Sequence, residues 1–157
     1  MTVVTEKPAS EALLRACVSR FDEKDQKLFT AVRAAIRKQF PAANELVYDY
    51  AHSVVIGYSP TNRGIESVVS IALRSDGVRL YLMRGPQLPD PTRLLKGSAK
   101  LTRFVELGAA NELSSPDVQA LIAAANEGAS VPLPSSGKGR LIMMSAASRS
   151  ESGKPAK

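Results

Sequence analysis

Two arginines on neighbouring predicted strands mark the clearest place in this sequence for binding chemistry. Asp76-Gly77 favours a tight two-residue turn, and pairing the flanking strands across it puts Arg74 directly opposite Arg79. Like charges in such positions repel each other unless an anion or a carboxylate answers them. We therefore predict a shallow binding face that sets small side chains against large ones, formed by Ser70, Ala72, Arg74, Arg79, Tyr81 and Met83. Two solvated arginines that splay apart near the turn are the alternative interpretation.

A second group of basic residues follows in the next segment. Arg93, Lys96, Lys100 and Arg103 gather within eleven residues, and Arg84 is nearby. Arg93 and Lys96 would extend the predicted face as a basic rim, although a solvated basic surface explains the same pattern. A nucleic-acid backbone would need several phosphate contacts of this kind. Aromatic residues for base stacking are few, and the tyrosines fit sheet packing.

The distribution of charge narrows the choice of partner. The net charge is +6 at pH 7, which favours anionic partners in general. The segment 135–157 contributes +4 of it, from five basic residues and one glutamate, so the rest of the chain carries about +2. This near balance disfavours nucleic acid as a partner of the folded part. Weak nucleic-acid binding through the basic tail stays open.

Catalytic and metal-binding chemistry find little support in the residue types and their spacing. His52 is the one histidine, and Ser53 beside it would point to the other side of a strand, so they do not form a dyad. Cys17 is the one cysteine and falls in an apolar stripe, which favours an inert core thiol over a reactive one. A single histidine and a single cysteine give no zinc spacing. We predict no catalytic residues and no metal ligands, and an enzyme is the least favoured class.

Spacing and capping residues predict the helices that would position these groups. They lie at Glu11–Arg20, Asp22 to about Gln39, Asp90–Lys96 and Pro116–Glu127. Ser10 and Asp22 are the expected N-caps of the first two helices, and Asp90-Pro91 opens the short third one.

Alternating apolar residues predict five strands. They lie at Glu45–Tyr50, Ser53–Tyr58, Glu66–Arg74, Val78–Met83 and Thr102–Leu107. The elements together indicate an α+β fold, with two N-terminal helices and a C-terminal helix packed on a twisted, mostly antiparallel sheet of about five strands.

Two adjoining segments also resemble a known family. "LPDPTRLLKG" (Leu88–Gly97) followed by "KLTRFVEL" (Lys100–Leu107) resembles the YdhG-like family, a bacterial domain of unknown function, and "ELVYDY", "VVIGYSP" and "GVRLYLMRG" fit upstream. The resemblance covers roughly Asp22–Ala125. It implies helices packed on a twisted antiparallel sheet, without a catalytic motif. Some members are described as frataxin-like iron chaperones, so iron is a possible cargo, but this basic chain has no concentrated acidic surface.

Length and composition predict one domain and a tail. The chain has 157 residues, enough for a single core over 1–134. The tail, 135–157, is basic and rich in Ser and Lys, with an edge strand within Arg140–Ser148 and disorder beyond it. Neither an apolar run of membrane-spanning length nor a secretory signal is present. These features and the single cysteine favour a cytoplasmic protein without a membrane partner.

The functional expectation is a small cytoplasmic bacterial protein with a non-catalytic binding role. Its partner would be a small anionic ligand or another protein, held on the face described above, and no cofactor is expected. A frataxin-like iron chaperone and a weak nucleic-acid binder are the alternatives.

Overall fold

The computed structural model describes residues 2–3 and 7–144. These residues form three α-helices: α1 (Lys7–Val18), α2 (Glu23–Gln39) and α3 (Pro116–Glu127). The predicted extents of α2 and α3 are confirmed. At the start of α3, the Ser115 hydroxyl accepts a hydrogen bond from the Val118 amide, which satisfies one of the free N–H groups of the first turn.

The first helix begins earlier and ends earlier than predicted. α1 starts at Lys7, so Ser10 lies inside the helix and is buried, and it is not the N-cap. Pro8 explains the earlier start, because proline is well tolerated in the first helical turn. Asp22 does stand at the N-cap of α2, but its side chain makes no capping hydrogen bond there.

The strands form one open, mixed sheet among the described residues. They are β1 (Thr2–Val3), β2 (Asn44–Tyr50), β3 (Ser53–Ser59), β4 (Val69–Arg74), β5 (Gly77–Met83), β6 (Thr102–Leu107) and β7 (Leu141–Met144). The sheet order is β1-β7-β2-β3-β4-β5-β6. The α+β class is confirmed, and the expected count of about five strands was slightly low, since six strands have four or more residues and β1 has two.

The strand expected near the C-terminus exists but is not at the sheet edge. β7 runs parallel to β2 and antiparallel to β1, so it has a neighbour on each side. Gly139 allows this approach, because a Cβ there would lie 1.8 Å from the Ala43 carbonyl oxygen. The Gly139 amide donates to the Pro41 carbonyl at 2.8 Å. The remainder of the predicted strand and the predicted disorder lie outside the described residues.

The hairpin of β4 and β5 has a different register from the predicted one. Its loop residues are Ser75 and Asp76, Arg74 pairs with Gly77, and Ile71 pairs with Leu80. Gly77 has a φ of +124°, a backbone conformation that residues other than glycine rarely adopt. It is the first residue of β5 and not a residue of the loop. The slip is two residues, which returns every side chain to its predicted face because strand side chains alternate with period two.

The main core lies between one face of the sheet and the helices. The inward side chains of β3, β4 and β5 alternate as predicted and are almost fully buried: Val54, Ile56, Tyr58, Val69, Ile71, Leu73, Val78, Leu80 and Leu82. Phe29, Val32 and Ile36 of α2 pack against them, as do Leu121 and Ile122 of α3. Each such apolar side chain contributes about 1.5–3 kcal/mol when fully buried.

The short helix predicted at Asp90–Lys96 is absent, and a hydrogen-bonded loop takes its place. The Asp90 carboxylate accepts from the Leu94 and Leu95 amides, each at 2.9 Å. An N-cap would instead accept from residues two or three positions on. Arg93 stands at φ +57°, which breaks any helix, and Lys96 then forms a two-way backbone bridge to Phe104 of β6 at 2.8 and 3.0 Å.

Candidate functional site

The sheet face opposite the helices carries the predicted binding residues, and we call it the outer face. It has an apolar cluster of its own: Leu46, Tyr48, Val55, Ala72, Tyr81, Phe104, Ile142 and Met144. Ala72 and Tyr81 belong to this cluster. Ser70 and Arg74 share their side of β4 by alternation, as Arg79 and Met83 share that of β5. The structure therefore brings the six predicted sheet residues onto one face.

The middle of this face is closed. Ala72 is 2% exposed and Tyr81 is 4% exposed, and Phe104 is also buried. The side chain of Arg79 is 12% exposed. Small residues opposite large ones produce packing here and not an open groove, so the accessible part of the predicted face is its rim.

Arg79 is held by three contacts at the centre of the face. Its guanidinium Cζ lies 4.0 Å from the ring centroid of Phe104, which is cation–π distance. Nη1 donates to the Tyr81 hydroxyl at 3.1 Å, and Nη2 lies 3.2 Å from Asp76 Oδ2. The guanidinium thus has an aromatic surface and two oxygen acceptors, which accounts for a cation on an apolar face.

The two arginines are not opposite each other, which corrects the prediction. Arg74 pairs with Gly77 and Arg79 pairs with Ala72. Both guanidinium groups contact the same carboxylate, because Arg74 Nε lies 3.1 Å from Asp76 Oδ1. Asp76, which sequence analysis treated only as a turn residue, therefore provides the negative charge that balances both arginines.

The charged contacts continue onto the next strand. Glu106 of β6 stands opposite Arg79, and its carboxylate lies 2.6 Å from Lys96 Nζ. The hydrogen bond and the charge of Lys96 lower the pKa of Glu106. Lys96 thus joins the predicted face. Arg93 is exposed in the loop, and within the described chain its guanidinium has no hydrogen bond or ion pair.

Residues 84–103, which we call the basic loop, carry a net charge of +4. Five cations (Arg84, Arg93, Lys96, Lys100 and Arg103) face one carboxylate, Asp90, which is bonded to backbone amides. Arg103 Nη1 donates to the Thr102 carbonyl at 2.9 Å and also to the Ala99 carbonyl. The Arg84 guanidinium packs beside Gly128 at the end of α3. Cations are favourable at that end of a helix.

His52 and Cys17 are the other side chains considered as candidates for catalysis. His52 is exposed in the tight turn between β2 and β3. Cys17 is half-buried on α1, and burial and the neighbouring Asp49 raise its pKa, which disfavours the reactive thiolate. Among residues 2–3 and 7–144, no three His, Cys, Asp or Glu side chains are grouped so that they could hold a metal ion.

Sequence analysis missed a buried ion network between α2 and β2. Arg33 forks across two carboxylates, at 2.8 and 2.9 Å from the oxygens of Glu45 and at 2.9 and 3.0 Å from those of Glu11. The Tyr58 hydroxyl donates to Glu45 at 2.8 Å, and burial raises the pKa of Tyr58. Glu45 could have revealed this network in the sequence. Its side chain lies on the same face of β2 as the inward Val47, and a buried charge must find a partner.

These internal pairs make the network structural. Glu45 is buried, and both of its carboxylate oxygens accept hydrogen bonds from Arg33, so the carboxylate is already occupied by contacts within the protein. The arrangement ties α1, α2 and β2 together through Glu11, Arg33 and Glu45. A ligand would have to displace contacts that are charge-assisted and shielded from water.

Fold and site together define an α+β protein with three helices on one side of an open sheet. Comparisons with family models, with curated proteins and with solved structures find no match. Within the described part of the chain, no helix is long and apolar enough to cross a membrane.

Proposed function

We propose that this protein is a non-catalytic binding domain of the bacterial cytoplasm, of YdhG-like type, which holds a small anionic ligand or a protein partner. The observation that carries the proposal is the charge arrangement beside the outer face. The rim is charge-paired, through Arg74 and Arg79 with Asp76 and through Lys96 with Glu106. The adjoining basic loop adds Arg93 and Lys100, which have no acidic partner among the described residues.

Binding at such a surface depends on several weak contacts. An exposed ion pair contributes only about 0.2–1 kcal/mol, so one arginine or lysine cannot retain a ligand by itself. A partner that contacts the rim and the loop together forms several such ion pairs, and their binding free energies add up. Because the cations are exposed, the affinity falls as salt is added.

Two alternatives stay as predictions with separate tests. The iron chaperone is supported by the family resemblance, and it predicts ferrous binding that is lost on carboxylate substitution. Nucleic-acid binding through the tail concerns residues 135–157, of which 145–157 lie outside the described part. A chain that ends at Met144 tests it while keeping β7, which a deletion of 135–157 would remove.

A thermal-shift screen tests the proposal directly. The protein is heated with phosphorylated metabolites, a short acidic peptide, an oligonucleotide and ferrous iron in separate samples. A ligand at 100 times its dissociation constant stabilises the fold by about 2.7 kcal/mol and raises the melting temperature. We expect an anionic ligand to do so, and ferrous iron alone would favour the chaperone alternative.

Substitutions then locate the surface. Arg74→Ala and Lys96→Ala are suitable because both side chains reach solvent. Arg79→Ala would also remove packing on Phe104. We expect the stabilisation by the anionic ligand to shrink in the double variant and to persist in Lys24→Ala, an exposed site on α2. An unchanged shift in the double variant would count against this surface.

A further inference from the structure

We infer that the basic loop, residues 84–103, docks an acidic and extended peptide segment of a protein partner. This inference rests on the proposed function, since it assigns the chemical class of the partner for the same surface. It begins from charge. The loop carries a net charge of +4, because five cations face a single carboxylate, whereas the rest of residues 1–134 carries about −2. A complementary surface on a partner must therefore be acidic.

The loop is held in shape before any partner arrives. The Asp90 carboxylate fixes the Leu94 and Leu95 amides, each at 2.9 Å. The Gly85 amide donates to the Leu101 carbonyl at 3.2 Å, which closes the base of the loop. Leu94 and Leu95 pack against the main core. A preorganised surface loses little conformational entropy on binding, which favours affinity from few contacts.

Two of its cations are available to a partner. Arg93 and Lys100 are exposed, and no carboxylate of the described residues pairs with them. Leu101, beside Lys100, is 53% exposed although it is a large apolar residue. The two cations are seven positions apart in the sequence, so their Cα atoms lie at most about 25 Å apart. An extended peptide of about eight residues could span both charges and cover Leu101 next to Lys100.

The same details disfavour the other anions. Converging backbone amides are a common phosphate site, and in this loop the amides of Leu94 and Leu95 already donate to Asp90. A single-stranded nucleic acid would need an exposed aromatic surface for base stacking. The nearest aromatic side chains, Tyr81 and Phe104, are buried in the outer face. An acidic peptide with an apolar residue matches both the free cations and Leu101.

Fluorescence anisotropy with a labelled peptide of about eight glutamates around a central leucine provides the test. The comparison probes are the same peptide with glutamine for glutamate, a short polyphosphate and a single-stranded oligonucleotide. The test variant is Arg93→Glu with Lys100→Glu. Lys24→Glu with Lys38→Glu, at exposed positions on α2, changes the net charge by the same amount and serves as the matched control.

We expect the acidic peptide to bind, and the loop variant to bind it about tenfold more weakly at low ionic strength. The α2 variant should retain most of the affinity. Leu101→Ser should lower the affinity for the leucine-containing peptide and leave the affinity for an all-glutamate peptide unchanged. Melting curves identify any misfolded variant, and Arg93→Gln with Lys100→Gln then repeats the test with a milder change.

Three results would overturn the inference. Equal losses in the loop and α2 variants would mean a response to net charge alone. Tight binding of polyphosphate or oligonucleotide without binding of the acidic peptide would reject the peptide and leave the proposed function standing. If no anionic probe bound in this assay or in the thermal-shift screen, the inference and the proposed function would fail together.

Discussion

Charged residues on the two faces of this sheet find partners in different ways. Arg33 and Glu45 meet in the core with near-ideal geometry, and the side chain of Glu45 is almost completely removed from water. Arg79 rests on an aromatic ring and shares Asp76 with Arg74. The alternation of β4 and β5 predicted which face the arginines occupy. It could not show that Asp76 serves both of them, because that contact depends on a register that alternation leaves open.

Replacing Glu45 by glutamine should strongly destabilise the protein. The substitution keeps the shape but removes one of the two carboxylate charges that Arg33 contacts, and weakening a buried ion network in this way costs up to about 3 kcal/mol. Urea unfolding of the two proteins measures the difference. Glu23→Gln is the control, because its ion pair with Lys27 is exposed on α2, and it should leave the midpoint nearly unchanged. Equal effects of both substitutions would show that the network does not stabilise the core.

Local sequence signals identified most elements but were wrong about Asp90–Lys96 and about the position of β7 in the sheet. Asp90-Pro91 has the chemistry of a helix start, yet the same carboxylate can close a loop around the Leu94 and Leu95 amides. Lys96 then forms a backbone bridge with Phe104, which no local sequence pattern predicts. For β7, the apolar residues predicted a strand, but its place beside β2 depends on the close contact of Gly139 with Ala43.

Gly139→Ala should displace β7. A Cβ would stand 1.8 Å from the Ala43 carbonyl oxygen, which is backbone and cannot move aside cheaply. Forcing an extra methyl group into a packed site costs about 1–3 kcal/mol. Thermal unfolding measures it, and hydrogen exchange of the Glu45 amide, which donates to Arg140, reports the local opening. Gly108→Ala is the control, since the nearest neighbour of its new Cβ would be a side-chain oxygen 3.5 Å away. Equal losses of stability in the two variants would contradict the steric explanation.

At the scale of the whole molecule, the sheet has two packed faces with different roles. One buries the main core under three helices, and the other carries the apolar cluster of the outer face, to which β7 contributes Ile142 and Met144. Sequence analysis predicted the α+β class from the order of helices and strands. The predicted boundary between domain and tail was Pro134, with an edge strand expected within Arg140–Ser148, and β7 lies at Leu141–Met144.

Two truncations should therefore behave differently. A chain ending at Met144 keeps β7 and should unfold cooperatively close to the full-length midpoint. A chain ending at Pro134 loses Leu141, Ile142 and Met144, which are all buried. At about 1.5–3 kcal/mol each, this loss approaches the whole stability of a small domain. Thermal unfolding followed by circular dichroism gives the midpoints of both chains. A stable fold for the shorter chain would contradict the structural role of β7.

The position of β7 also matters while the protein is being made. Its partner β2 leaves the ribosome about 90 residues before β7 does. At 5–20 residues per second, the edge of β2 stays unpaired for roughly 5–20 seconds of each round of synthesis. An unpaired strand edge is a template for pairing with other chains. The nascent chain is therefore vulnerable to aggregation in this interval, and slow decoding of the codons between β2 and β7 would prolong it.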